Sequence, residues 1–195
     1  APATAVMALT TSFAGFDWLM SLDPHWYSTI FGVYIFAGSL ISSMATLALL
    51  VVRMRKAGVG GDLLTVEHQH DVGKFLFGFV VFFAYIGFSQ FMLIWYAGIP
   101  EETVWYKHRW DGGWSALSMT IFLGHFVVPF LLLLPRTAKR SGSILSFASA
   151  WILVMHFVDL YWLVMPNFDH HLSFSWVDIA GLLGPLGITC AWIAK

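Results

Sequence analysis

The stretch SILSFASAWILVMHFVDLYWLVM, residues 143–165, decides the fold. It exceeds the roughly 20 apolar residues that a helix needs to cross about 30 Å of hydrocarbon. A helix is the only open-chain form that satisfies its own backbone in lipid. Inside this run stand His156 and Asp159, three residues apart and so on one helix face. A charged side chain at bilayer centre costs roughly 3 kcal/mol on insertion scales, so the pair needs a partner or a task. A carboxylate beside an imidazole favours its protonated form, and burial favours the neutral one. The pair can therefore hold one exchangeable proton near neutral pH, as a relay requires. The plainer alternative is a His–Asp bond that ties helices together.

Working outward, further apolar runs lie at 3–22, 27–52, 73–97, 114–135 and 175–194. The expectation is an all-α, polytopic transmembrane helix bundle with six spans, forming one domain over 1–195. Composition agrees: 58% of residues are hydrophobic and 11% charged, where soluble domains carry about 25% charged. A net charge of −1 leaves no basic stripe to neutralise phosphates, which excludes nucleic-acid binding as the main activity. Cys190 is the lone cysteine, so this chain alone builds no disulfide, no thiolate-held iron–sulfur cluster and no Cys-x-x-Cys-His haem attachment. The opening Ala1-Pro2-Ala3 reads as the interior of a longer protein whose first spans precede it.

Arg53, Arg55, Lys56, Lys74, Arg136, Lys139, Arg140 and Lys195 gather on one side of these spans, which places that side and both ends of the segment in the cytoplasm. Lys107 and Arg109 stand on the other side, offset by Glu101, Glu102 and Asp111. Trp18, Trp26, Trp95, Trp105, Trp110, Trp114, Trp162 and Trp176 crowd that outer side, more than an interfacial belt needs.

Several polar residues lie within the spans. His125 precedes Pro129 by four, and a proline cannot donate to the carbonyl four residues back, so a polar spot at a kink is expected there. Tyr85, Ser89 and Gln90 form an expected polar strip in the third span. At its cytoplasmic mouth, His70, Asp71 and Lys74 stand as proton-collecting candidates, with helix-dipole and snorkelling roles as the plainer reading. Asp17, in a helix interior before Trp18, is a further candidate, whereas Ser175 to Asp178 has capping-box spacing. Ser39, Ser42, Ser43 and Thr46 suggest a close-packing face. His170 and His171 are adjacent and lack an evident third ligand for a metal.

Three longer runs carry a resemblance. One comprises His70-Asp71-Val72-Gly73-Lys74, Phe88-Ser89-Gln90-Phe91-Met92-Leu93-Ile94-Trp95-Tyr96 and Ile99-Pro100-Glu101-Glu102-Thr103. The second is Phe16-Asp17-Trp18-Leu19-Met20-Ser21-Leu22 with His25-Trp26-Tyr27-Ser28-Thr29, and the third is Val158-Asp159-Leu160-Tyr161-Trp162-Leu163-Val164-Met165-Pro166. Over essentially its whole length the chain resembles the F subunit of bacterial alternative complex III, a quinol:cytochrome c or electron-acceptor oxidoreductase. The resemblance implies a ten-helix subunit of the bacterial inner membrane, similar to NrfD-like polysulfide-reductase subunits, of which this chain matches the C-terminal portion. It implies partners: a multihaem cytochrome c, an iron–sulfur protein and an NrfD-like sister subunit. Haem c and iron–sulfur clusters then belong to those partners, no cofactor is bound by this chain alone, and quinone or quinol is the remaining candidate ligand.

Three functions follow as expectations. The first is a proton path lined by Asp17, His70, Asp71, Lys74, Tyr85, Ser89, Gln90, His125, His156 and Asp159. The second is a scaffold that holds redox subunits at the membrane. The third is a b-type cytochrome with His125 and His156 as axial ligands, although a dihaem span pair would use four deep histidines and the sequence has two.

Overall fold

The computed structural model describes residues 2–59, 61, 64–169, 172 and 175–193. All regular structure among them is helical. Helix α1 (Pro2–Trp18) leads to α2 (Thr29–Lys56) and α3 (Val66–Ala97), then a short α4 (Pro100–His108). The next crossing is composite: α5 (Trp114–Ile121), a π-helical segment (Phe122–Val127) and α6 (Val128–Leu133). A short α7 (Arg136–Arg140), α8 (Gly142–Val164) and α9 (Trp176–Ile193) complete the chain.

Among the described residues five helical stretches are long and apolar enough to cross a membrane: Ala3–Leu22, Thr29–Lys56, Val66–Ala97, Trp114–Leu133 and Gly142–Asn167. These are five of the six expected spans. The sixth expected span falls on α9, which has 18 residues and is not among the five.

The third span also starts earlier than its apolar run predicts. Thr65 and His68 form a capping box, with the Thr65 N–H donating to the His68 ring at 3.4 Å. This cap satisfies orphan N–H groups and lets the polar Val66–Val72 stretch join the helix. Gly98 ends it in the left-handed region at φ 62°, its N–H returning to the Ile94 carbonyl. Pro100 then opens α4, where its missing N–H costs nothing.

Helices α2, α3, α6 and α8 form the body of the bundle, with α1 packed on α2. Ala37, Ile41, Ala45 and Ala48 are fully buried and make the close-approach face of α2. The packing face expected at Ser39, Ser42, Ser43 and Thr46 lies elsewhere. Ser43 and Thr46 are exposed, and all four hydroxyls bond carbonyls of their own helix.

At the basic end, α7 is locked to α3. The Lys139 ammonium donates to the Leu133 and Leu134 carbonyls at 2.6 and 3.1 Å and caps the end of α6. Its burial lowers the Lys139 pKa from the usual lysine value. Gln69 donates to the Lys139 carbonyl and accepts from Arg55, while Arg140 pairs with Glu67. At the other end of the chain, the Ser175 N–H donates to Asp178 at 2.7 Å, the reciprocal half of the expected capping box.

Candidate functional site

At the kink expected before Pro129 the helix changes its hydrogen-bond pattern. The helix widens, and the Val128 N–H reaches back five residues to the Leu123 carbonyl. A π-turn absorbs the hydrogen bond that proline removes. The Trp151 indole N–H takes up the Gly124 carbonyl at 2.7 Å. This widened turn carries His125 inward to 1% exposure, against Phe83 with ring centroids 4.5 Å apart.

On α8, Asp159 is 1% exposed, and the Tyr34 hydroxyl of α2 donates to its carboxylate at 2.5 Å. His156 precedes Asp159 by one turn on the same face, as its spacing predicts, and its ring centroid lies 5.9 Å from that of His125. The hydrogen bond of Asp159 nevertheless goes to Tyr34 and ties α8 to α2. Both ring nitrogens of His125, the Nδ1 of His156 and the Ser149 hydroxyl are buried without a hydrogen-bond partner among the described residues. Buried polar groups left unpaired cost about 1–3 kcal/mol each, which makes these ring nitrogens the candidate site; the Trp26 and Trp114 indoles and the Arg109 Nε are unpaired in the same way at the aromatic end.

Gly38 makes room for this cluster. A Cβ added there would lie 2.7 Å from the His156 Cε1. The neighbour is a packed ring rather than a flexible chain end, so Gly38→Ala is expected to destabilise the protein by roughly 1–3 kcal/mol. A shift in the His156 ring proton resonances in an NMR spectrum of the variant would check that the ring has moved.

Depth along the helices refines the sequence reading. At 1.5 Å per residue, Asp159 stands about 8 Å from the end of α8 at Val164, and His125 about 16 Å from the start of α5. The carboxylate is thus nearer the aromatic end than mid-helix, and only His125 is central.

The other sequence candidates divide. Gln90 is 3% exposed and lies on the same side of α3 as Phe83 and Ile94. Tyr85 points outward at 65% exposure, and Ser89 is half-buried. Residues five apart on an α-helix are separated by about 140° around its axis, so the expected strip cannot be continuous. Asp17 is exposed. Asp71 and Lys74 form an exposed pair at 2.7 Å. His70 is buried, 4.0 Å from Glu67, at the opposite end of α3 from Gln90. The structure therefore brings together His125, His156 and Asp159, adds Tyr34, and places Gln90 nearby. Asp17, Asp71, Lys74 and Tyr85 stand apart from them. His170 and His171 lie outside the described residues, and among the described residues no group of three or more His, Cys, Asp or Glu could hold a metal ion.

A cavity of about 1060 Å³ opens between α3 and the α5–π segment. Tyr34, Gln90, His125, Trp105, Arg109 and Trp162 are among its walls. The two helices separate only toward the aromatic end, because Phe77 and Phe130 close the basic half at 5.3 Å.

Arg109 roofs this cavity, a role the charge pattern did not suggest. It is 1% exposed, and its guanidinium donates to the Trp105 and Leu163 carbonyls at 3.1 and 2.7 Å. It lies 3.5 Å over the Trp105 ring and 5.4 Å from Trp162, and Trp26 stacks on the far side of Trp105 at 4.5 Å. Burial pulls its pKa down to about 9, with Asp23, Tyr106 and Tyr34 opposing, so it is cationic at neutral pH. Its described hydrogen bonds go to carbonyls rather than to the acidic residues of its loop. The signal in the sequence was the density of aromatic residues around it, from Trp105 to Trp114. Tyr34 and Ser149 were missed because each is an ordinary residue in its own helix until a distant one arrives.

No protein-family model matches this chain, and no curated protein matches it.

Proposed function

We propose that this chain is an integral membrane subunit of a respiratory quinol:electron-acceptor oxidoreductase of the alternative complex III type, and that it handles protons. The observation that carries the reading is the buried Tyr34–Asp159 bond beside His156 and His125, whose free ring nitrogens await proton donors or acceptors. Polar groups at hydrocarbon depth are functional by default. Five apolar helices support the membrane setting, as do outward faces carrying Leu131, Phe147 and Val154.

In this reading the basic end of the bundle faces the cytoplasm of a bacterial inner membrane, following the positive-inside bias. Asp159 holds a proton shared with Tyr34, and His156 and His125 extend the route toward the middle of the bundle. Ser149, two turns further along α8, continues it toward Gln69 and His70. Partner subunits (a multihaem cytochrome c, an iron–sulfur protein and an NrfD-like sister) carry the electrons.

The test is Asp159→Asn in the assembled complex, reconstituted into vesicles and followed with a pH-sensitive dye. Proton movement per electron is expected to fall at least tenfold while assembly survives. An unchanged stoichiometry would sink the reading. A scaffold role is the second reading, favoured by the outward placement of Asp17, Asp71, Lys74 and Tyr85. Under it the same variant changes the yield of complex or nothing.

A further inference from the structure

We propose that Arg109 is an electrostatic gate, whose buried and unneutralised positive charge closes the outer end of the Tyr34–Asp159 pair to protons in the resting protein. The inference rests on the proton-handling reading above and adds a regulating residue to that site.

Three observations converge on it. The first is position. Arg109 donates to the Leu163 carbonyl at 2.7 Å. Leu163 follows Asp159 by four residues, one helical turn or about 6 Å nearer the outer end of α8. Tyr34, His125 and Arg109 also border one cavity. Its lateral rim is apolar, with Phe88, Trp95 and Phe122 exposed, so it gives onto hydrocarbon rather than water. A proton that approaches the carboxylate from the aqueous outer side therefore passes the guanidinium.

The second is charge. Buried cations are ordinarily paired with carboxylates, which cancel most of their field. Arg109 is 1% exposed, yet its hydrogen bonds go to the Trp105 and Leu163 carbonyls, and no ion pair joins it to an acidic residue among the described residues. Asp23 is half-buried in the loop outside it and accepts from the His25 N–H at 3.3 Å. The carbonyl end of α8 holds a cation favourably without neutralising it. At an effective dielectric of about 20, two unit charges roughly 6–10 Å apart disfavour each other by about 15- to 100-fold. A fixed arginine excludes protons from membrane pores by the same repulsion.

The third is the seal around the charge. The guanidinium lies 3.5 Å over the Trp105 ring, Trp26 stacks on Trp105 at 4.5 Å, and the Trp162 ring stands 5.4 Å away. The Trp162 indole N–H is itself fixed to the Ser118 hydroxyl at 2.8 Å. These rings keep water and salt from the cation, so its field is screened little.

The experiment uses the complete complex in liposomes without quinol, with a potassium diffusion potential to drive protons and an internal pH-sensitive dye. Arg109→Gln is expected to raise the resting proton leak at least tenfold. Arg109→Met is expected to do the same and serves if the glutamine variant fails to assemble. Arg109→Lys keeps the charge but loses the flat stack on Trp105, so its leak should stay within twofold of the parent. Arg109→Gln/Asp159→Asn should fall back to the parent level, because the leak passes through the carboxyl group. Neutral variants as tight as the parent would overturn the gate. A lysine variant that leaks like the glutamine one would overturn it too, since the opening would then be structural. So would a leak that survives Asp159→Asn. The proton-handling reading stands or falls separately, on proton movement per electron during turnover of Asp159→Asn.

Discussion

Arg109→Ala is expected to destabilise the protein by roughly 3 kcal/mol, the largest effect of any single loop substitution. Hydrogen bonds to charged donors contribute about 1.5–3 kcal/mol each, and the guanidinium makes two, to the Trp105 and Leu163 carbonyls. A desolvated cation–π contact adds about 2 kcal/mol. Against this, alanine relieves the cost of burying the cation, which is several kcal/mol before compensation. The carbonyl of Leu163 still loses a partner inside the fold, and the stacked Trp26–Trp105 pair loses its support. Arg109→Lys should recover only part of the loss, because an ammonium lacks the planar face that lies on the Trp105 ring. Unfolding in detergent micelles, followed by tryptophan fluorescence, checks both variants. If alanine and lysine variants unfold like the parent, the clasp carries no stability.

Tyr34→Phe is the second. It removes the hydroxyl that donates to Asp159 and leaves a carboxyl group 1% exposed without that partner. Stranding a buried acceptor costs about 1–3 kcal/mol. Replacing both members with apolar side chains removes the stranded group, so Tyr34→Phe/Asp159→Leu should recover most of the loss. The resulting coupling energy, read from a double-mutant cycle, is expected to be at least about 1 kcal/mol. Additive effects would mean that the bond contributes nothing. Infrared spectroscopy supplies an independent readout, since the carboxyl band of Asp159 should shift when its hydrogen bond is lost and vanish in Asp159→Asn.

Much of the architecture was legible because it is local. A run of apolar residues long enough for a crossing forms a helix wherever it sits, and five of the expected spans reappear, four of them within a few residues of their predicted ends and the third with a start seven residues earlier. The misplacements have local causes of a subtler kind. The Thr65–His68 cap extends α3 through a polar stretch that hydropathy assigns to a loop. Pro129 was correctly read as a disturbance, but the form it takes depends on what donates to the carbonyls of the widened turn, here the Trp151 indole of another helix. The candidate site was legible in half. His125, His156 and Asp159 stood out by chemistry at depth, while Tyr85 and Asp17 stood out equally and point outward.

The sequence by itself determined that the chain is helical, apolar and charge-asymmetric, and that imidazole and carboxylate groups sit inside its long helices. Each of these follows from residues close together along the chain. Only the tertiary structure decided which buried groups meet. The Tyr34–Asp159 bond spans 125 residues, and the Arg109–Leu163 bond spans 54. Helical periodicity says which face a residue shares with its neighbours, but the facing helix is chosen by packing across the whole bundle. The cavity is likewise invisible in sequence, because it is the space left where α3 and α5 part.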